Sequence, residues 1–137
     1  MDSIQLLTRK GANCTELLSC LYGLKPTEVE VFYVLAGRGR VTVDDLAAYV
    51  RRDRTTVHRC LAKLVSAGLV YRQANSLKEG GYKYVYLAAE SSRIRELAEE
   101  RVREISASLH SLVENFERDL RSRTAHEGTD PKVNAVS

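Results

Sequence analysis

The segment from Val41 to Val70 constrains the fold most, because it reads as two short helices joined by a tight polar turn. The first helix is predicted over Asp44 to Val50, with its apolar residues on one side. Asp53 has the short acceptor side chain that caps a helix N-terminus. The second helix is therefore predicted from Arg54 to Ala67, and Gly68 is a usual stop just beyond a helix end. This arrangement predicts a helix-turn-helix.

The second predicted helix has two different faces when its residues are placed at about 100° per residue. Its apolar face is formed by Val57, Cys60, Leu61, Leu64 and Val65. The opposite face presents Thr55, Arg59, Ala62, Lys63 and Ser66, with Thr56 and His58 on its flanks. A helix that reads base edges in a major groove needs such donors and no bulky or acidic neighbours. Taken alone, the pattern fits the solvated basic face of a core helix equally well.

Basic residues are concentrated around this segment. From Arg38 to Lys83 the chain has ten Lys or Arg against four Asp or Glu, a net charge of +6. The whole chain carries only +3, so the remainder is acidic. A basic centre between acidic flanks favours a nucleic-acid-binding face on a protein whose remaining surface does not attract nucleic acid.

A β-hairpin is predicted directly after the helix-turn-helix. The segments Leu69 to Ala74 and Tyr82 to Leu87 are β-prone, and a glycine-containing turn from Asn75 to Gly81 separates them. Such a hairpin is the wing of a winged helix. Its basic residues are Lys78 in the loop and Arg72 and Lys83 near the base, where phosphates would run. Tyr84 and Tyr86 are expected to pack in the sheet, whereas Tyr82 near the tip is a candidate contact to a sugar–phosphate.

Two further helices are predicted before this segment. Thr15 would cap a helix over Glu16 to Tyr22. Thr27, with a glutamate three residues on, forms a capping-box pattern for a helix over Glu28 to Ala36. The β-branched residues 41–43 read as a single short strand or a strand-like bridge leading into the helix-turn-helix.

A long helix is predicted after the hairpin, beginning at Ser91 or Ser92 and continuing to about Thr124. Its apolar residues recur at alternating steps of three and four, as in a coiled coil. They are Val102, Ile105, Leu109, Leu112, Phe116 and Leu120. Because the stripe is narrow and regular, self-association with a second copy is expected, and the alternative is that the helix folds back on its own domain.

The sequence therefore predicts a mainly α fold with a small β-hairpin, namely a winged helix-turn-helix followed by a long C-terminal dimerisation helix. The expected segments are an N-terminal arm or helix (1–24), the winged helix-turn-helix (25–89), the long helix (90–124) and a disordered tail (125–137).

Other classes of protein find little support in the sequence. Three cysteines without C-x₂-C spacing argue against a disulfide framework or a zinc site, and Cys60 is expected in the core. The three histidines are scattered, so no catalytic constellation can be assembled, and no enzyme activity, metal or cofactor is expected. No apolar run approaches about 18 residues and no signal peptide is evident, so a cytoplasmic, nucleoid-associated location is expected.

These residues resemble a known family. The stretch LKPTEVEVFYVLAGRGRVTVDDLAAYVRRDRTTVHRCLAKLVSAGLVYR and the hairpin ending GGYKYVYLA are similar to winged helix-turn-helix regulators of the TrmB and MarR type, especially small archaeal ones. The resemblance covers roughly Leu17 to Leu120. It implies a homodimer that binds pseudo-palindromic duplex DNA, with Arg52, Thr55, Thr56 and Arg59 at the groove and Lys78 in the wing. Larger TrmB proteins carry a C-terminal sugar-binding domain that has no counterpart here, so the resemblance does not imply a sugar response.

The function expected from the sequence is sequence-specific binding of double-stranded DNA to regulate transcription. Arg59 is the candidate base contact, because arginine reads guanine with two hydrogen bonds. The full candidate interface comprises Arg51, Arg52, Arg54, Thr55, Thr56, His58, Arg59, Lys63, Arg72, Lys78 and Lys83. Two alternatives stay open: a weakly specific architectural DNA-binding protein, and a winged-helix protein-interaction module. The sequence names no effector.

Overall fold

A computed structural model describes residues 3–125 of the chain, and within them it contains seven α-helices and one two-stranded antiparallel sheet. The elements are α1 (Ser3–Thr8), α2 (Cys14–Tyr22), α3 (Pro26–Ala36), α4 (Val43–Val50), α5 (Arg54–Ser66), β1 (Val70–Ser76), β2 (Tyr82–Ala88), α6 (Ser91–Glu114) and α7 (Phe116–Ala125). The described residues divide into two compact units, with the boundary between Glu99 and Glu100. The predicted mainly helical fold with one hairpin is confirmed, while the predicted domain ranges stay a prediction.

The helix-turn-helix forms where local signals place it. Thr42 caps α4, and its hydroxyl accepts a hydrogen bond of 3.1 Å from the backbone N–H of Asp45. The helix ends at Arg51, which adopts the left-handed conformation (φ 57°), the only residue other than glycine to do so in the described range. A side chain tolerates that conformation at a cost, because Cβ crowds the backbone there. Asp53 then caps α5, as predicted.

The core of the first unit lies between α3, α4 and α5, and the hairpin closes it. The fully buried side chains at its centre are Val31, Leu35, Leu46, Val57, Leu61, Leu64 and Leu69. Cys60 is also buried, as expected. Removing several methyl groups at such a position typically costs about 2–5 kcal/mol, so these residues hold α5 in place.

The hairpin pairs Val70 with Ala88 at its root and Ser76 with Tyr82 at its tip. The loop closes where the N–H of Leu77 donates to the carbonyl of Gly81 over 3.1 Å. Gly80 and Gly81 both have positive φ, 90° and 83°, a conformation that favours glycine. This confirms the predicted hairpin; β1 begins one residue later than predicted and ends two residues later, and β2 ends one residue later.

The predicted strand or strand-like bridge at residues 41–43 forms as a single bridge. Val41 exchanges two backbone hydrogen bonds with Tyr86, at 3.0 and 2.8 Å, whereas Val43 already belongs to α4. Thr42 is the N-cap of α4, so the helix begins two residues after Val41 and the bridge extends no further. This bridge still ties the entry of the helix-turn-helix to the wing.

Several helix starts differ from the sequence prediction. The α4 helix begins at Val43 rather than Asp44. The α2 helix is capped by Asn13 rather than Thr15, since the Asn13 side chain accepts from the N–H of Thr15 over 3.0 Å. The α3 helix begins at Pro26 instead of after Thr27. Glu28, not Glu30, reaches back, and its Oε1 accepts from the N–H of Lys25 over 2.6 Å. Proline needs no backbone N–H at the first helical position, so the helix starts there.

The predicted long helix is interrupted at Asn115, between α6 and α7. The Asn115 side-chain amide donates to the carbonyl of Ser111 over 2.9 Å and its oxygen accepts from Arg118. The backbone hydrogen bonds from the N–H of Asn115 to Ser111 (3.2 Å) and from the N–H of Asp119 to Asn115 (2.9 Å) are kept, so the interruption is confined to this one residue. Of the predicted tail, Ala125 ends α7 and residues 126–137 lie outside the described range. None of the helices between Ser3 and Ala125 has the length and apolar character needed to span a membrane.

Candidate nucleic-acid interface

The N-terminal end of α5 is fixed by Asp53. Its Oδ2 accepts from the N–H of Thr56 over 3.2 Å, and its Oδ1 accepts from the Thr56 hydroxyl over 2.5 Å. These two hydrogen bonds stabilise the carboxylate and hold the pKa of Asp53 below its ordinary value. The Thr56 hydroxyl is therefore committed to the cap as a donor, and it retains only acceptor capacity toward another group.

The exposed face of α5 presents Thr55, His58 and Arg59 to solvent, while Val57 and Leu61 are buried behind it. Among residues 3–125, none of those three exposed side chains makes a hydrogen bond or an ion pair. Because these donor side chains have no partner within the protein and lie on a well-packed helix, they are available to an external ligand. This is the arrangement that direct reading of base edges requires.

Val65 differs from its predicted place in the core, because it is 36% exposed. It lies at the edge of the apolar face and lines a cleft of about 500 Å³ between α5 and β1. His58, Ala62, Tyr71 and Arg72 line the same cleft. One flank of the exposed face is therefore a groove that runs between the helix and the wing.

Two arginines of the candidate interface have carboxylate neighbours. Arg54 donates from Nε to Oδ1 of Asp44 over 2.9 Å, and both side chains are largely exposed. Arg52 lies 3.7 Å from a carboxylate oxygen of Glu30, also at the surface. Exposed pairs of this kind contribute little to stability, about 0–1 kcal/mol, so either arginine can exchange its partner for a phosphate at small cost.

Lys63 makes a tertiary contact. Its Nζ donates to the carbonyl oxygen of Gly23 over 2.8 Å and lies 3.7 Å from Oε1 of Glu28. Gly23 ends α2 in the left-handed conformation, so this carbonyl belongs to a helix terminus. Lys63 thus ties the C-terminal half of α5 to the end of α2.

The wing carries the remaining basic residues. The guanidinium of Arg72 lies over the ring of Tyr84, 4.5 Å from its centroid, which orients it by a cation–π contact. Lys78 and Lys83 are exposed, and within the described residues neither has an ion-pair partner. Three tyrosines lie on one face of β2, and their exposure decreases from the loop toward the base of the hairpin: Tyr82 is 67% exposed, Tyr84 45% and Tyr86 4%. Tyr86 packs in the core, as expected, whereas Tyr84 is half-exposed.

Arg51 is exposed at the end of α4, where its backbone N–H bonds to Ala47. The first unit therefore places the residues of the candidate interface on α5, on the turn before it and on the hairpin, which are neighbouring elements.

Sequence reasoning missed Asp44, Glu30 and Glu28 as partners of the cations. These acids lie on other helices, so no local spacing points to them. Within residues 3–125, no cluster of His, Cys, Asp or Glu is suited to hold a metal ion.

Together, the helix-turn-helix and the hairpin define a winged helix protein. Residues 18–92 match the family model described as sugar-specific transcriptional regulator TrmB, and the chain belongs to the TrmB family. The resemblance seen in the sequence is thereby confirmed.

The chain is similar to archaeal proteins in sequence and in structure. An uncharacterized protein of Methanocaldococcus jannaschii is 33% identical over 101 residues, which are 74% of this chain and 76% of that protein. A possible transcriptional regulator from Methanosarcina mazei has a similar structure, with a TM-score of 0.69 and 20% identity over 80% of this chain and 95% of that one. A protein from the thermoacidophilic archaeon Sulfolobus tokodaii has a TM-score of 0.58 and 22% identity over 77% and 98%. At these identities the two solved structures establish the fold alone.

Proposed function

We propose that this chain is a transcriptional regulator that binds double-stranded DNA with sequence specificity as a homodimer. The observation that carries the proposal is the exposed face of α5, where Thr55, His58 and Arg59 are displayed on a helix whose other face is buried. Membership of the TrmB family supports the same assignment. The protein would act in the cytoplasm on the nucleoid.

In this proposal α5 enters the major groove and the loop around Lys78 contacts the backbone. Arg59 is the principal base-reading residue, because its five N–H donors can engage a guanine with two parallel hydrogen bonds. Thr55 and His58 would contact base edges or phosphates beside it. The cations on the turn and wing would meet phosphates: Arg51, Arg52, Arg54, Arg72, Lys78 and Lys83. Thr56 and Lys63 belong to the candidate interface as well, each with an internal hydrogen bond that restrains it.

The second unit supports the homodimer. Along α6 and α7 the predicted stripe is exposed: Val102, Leu109, Leu112, Phe116 and Leu120 are between 46% and 68% exposed, and Ile105 is partly buried. A series of apolar side chains at heptad spacing is costly to leave in water. We propose that the same stripe of a second copy covers it, which would present two α5 helices to two half-sites about one helical turn apart, or a multiple of that distance.

The experiment that tests this function is selection of duplexes from a random pool by the full-length protein, followed by footprinting on the selected sequence. Enrichment of a pseudo-palindromic motif and a discrete protected site would support the proposal. Continuous protection without a motif would indicate an architectural DNA-binding protein instead. Failure to bind any duplex, even at low salt, would favour a protein-interaction module.

A further inference from the structure

The surface beside α5, on the side away from the wing, contains a second cleft. It has a volume of about 390 Å³ and lies between the beginning of α3 and the middle of α5. Its polar lining residues are Lys25, Thr27, Glu28, Thr56, Arg59 and Lys63. Thr56 and Arg59 thus border this cleft while also belonging to the candidate reading surface, so the two surfaces are continuous.

The cleft is cationic. Lys25, Arg59 and Lys63 contribute three positive charges, and Glu28 is the single carboxylate in the lining. Glu28 is buried, and its Oε1 is occupied by the N–H of Lys25 at 2.6 Å and approached by Lys63 Nζ at 3.7 Å. The negative charge is therefore compensated within the fold. An anion entering the cleft would meet a positive surface.

Two cations of this cleft, Lys25 and Arg59, have no internal partner among the described residues, and Arg59 is already assigned to base reading. The ammonium of Lys63 donates to the carbonyl of Gly23 over 2.8 Å. By contrast, the Lys25 side chain is exposed, and the structure of residues 3–125 gives it no hydrogen bond or ion pair. Only the Lys25 backbone N–H is engaged, with Glu28.

The position of the cleft suggests its ligand. His58, Ala62 and Val65 form the flank of α5 that borders the wing groove, whereas Thr56, Arg59 and Lys63 form the opposite flank. A helix in a major groove lies between two sugar–phosphate strands. In the proposed binding mode the wing would contact one strand, and the cleft would lie beside the other.

We propose that this cleft seats a backbone phosphate of duplex DNA, with Lys25 as the contacting cation and the Thr27 hydroxyl beside it. The inference rests on the proposed DNA-binding function and extends the interface to the first turn of α3. It gives α5 a phosphate contact on both flanks, which would fix its register in the groove.

The test is the salt dependence of binding to a short mixed-sequence duplex, for the full-length wild type, Lys25→Gln, Lys25→Arg and Lys10→Gln. The Lys10 variant is the matched control, because it removes one exposed charge outside the cleft. Lys25→Gln should weaken binding about three- to tenfold at moderate salt and reduce the slope of log K against log salt by about 1. Lys25→Arg should retain the wild-type slope, and Lys10→Gln should leave it unchanged.

Loss of fold does not obscure the result, because the Lys25 side chain is exposed and the substitution keeps the backbone N–H that bonds to Glu28. Thermal unfolding of each variant checks this, and phosphate-ethylation interference with the wild type and Lys25→Gln gives a second measurement. A wild-type slope for Lys25→Gln, with binding weakened by Lys78→Ala, would overturn this inference alone. Failure of the wild type to bind any duplex would overturn the proposed function together with it.

Discussion

The Nε of Arg54 donates a hydrogen bond of 2.9 Å to Oδ1 of Asp44, so the first residue of α5 is linked to the first turn of α4. Both side chains are mostly exposed, at 67% and 76%. A carboxylate thus lies directly beside a cation that is a candidate phosphate contact. Asp44 and Arg54 line a further cleft between the helix-turn-helix and the wing, where Tyr82 and Lys83 also lie.

Replacing Asp44 with Asn should strengthen DNA binding. The change removes a negative charge near the phosphates and frees Arg54, and the expected gain is about two- to fivefold, since an exposed pair contributes at most about 1 kcal/mol. Asp45→Asn is the matched control, because it removes one exposed charge from the same helical turn and Asp45 has no ion pair in the described residues. Fluorescence anisotropy with a labelled duplex measures both. Equal gains for the two variants would show that Arg54 does not contact the nucleic acid.

The stability of the protein should fall as the pH drops below about 4, partly through Asp53. Its pKa is lowered in the folded state, so the stabilisation is complete above the ordinary pKa of the unfolded chain and is lost as the pH falls through the folded value. Asp53→Asn keeps a good capping residue but cannot titrate, so its stability should depend less on pH. Urea unfolding at neutral and acid pH compares the two. Glu16, whose pKa is lowered mainly by the backbone N–H of Asn13, titrates in both proteins. Identical losses in both proteins would refute the assignment.

Dimerisation should depend on the apolar stripe of α6. Leu109→Asp places a charge within the stripe, where Leu109 is 54% exposed in the single chain, and should convert a dimer into a monomer of 15.4 kDa. Ala107→Asp adds the same charge on the opposite side of the helix and should leave the dimer intact. Sedimentation equilibrium distinguishes the two masses. A wild-type monomer, or a dimeric Leu109→Asp variant, would contradict the proposed interface.

The helix-turn-helix and the wing were predictable because their signals are local. Asp53 as a cap, Gly68 at the end of α5, and the glycines of the hairpin loop each fix the backbone within a few residues. Helix starts were less predictable because several capping residues compete, and Pro26 with Glu28 prevailed over Thr27 with Glu30. Val65 was misplaced because it sits at the edge of the apolar face, where neighbouring elements decide burial.

The environment of the candidate site was not predictable from spacing. Lys63 reads as a solvent-facing cation on α5, yet it bonds to Gly23, forty residues earlier in the chain. The position of Lys25 beside Arg59 likewise depends on how α3 packs against α5. Such contacts arise from tertiary structure, whereas the spacing of residues along a helix indicates only the face on which each residue lies.

We propose that α5 reads base sequence through Arg59 while the wing holds the DNA backbone. The most direct measurement is the affinity of the wild type, Arg59→Ala and Lys78→Ala for the selected duplex and for a scrambled duplex of the same composition. Arg59→Ala should reduce the ratio of the two affinities by about 5- to 150-fold, corresponding to about 1–3 kcal/mol for a two-hydrogen-bond base contact. Lys78→Ala should weaken both duplexes alike, preserve the ratio and lower the salt slope by about 1. An unchanged ratio for Arg59→Ala, with both duplexes weakened equally, would contradict base reading by Arg59.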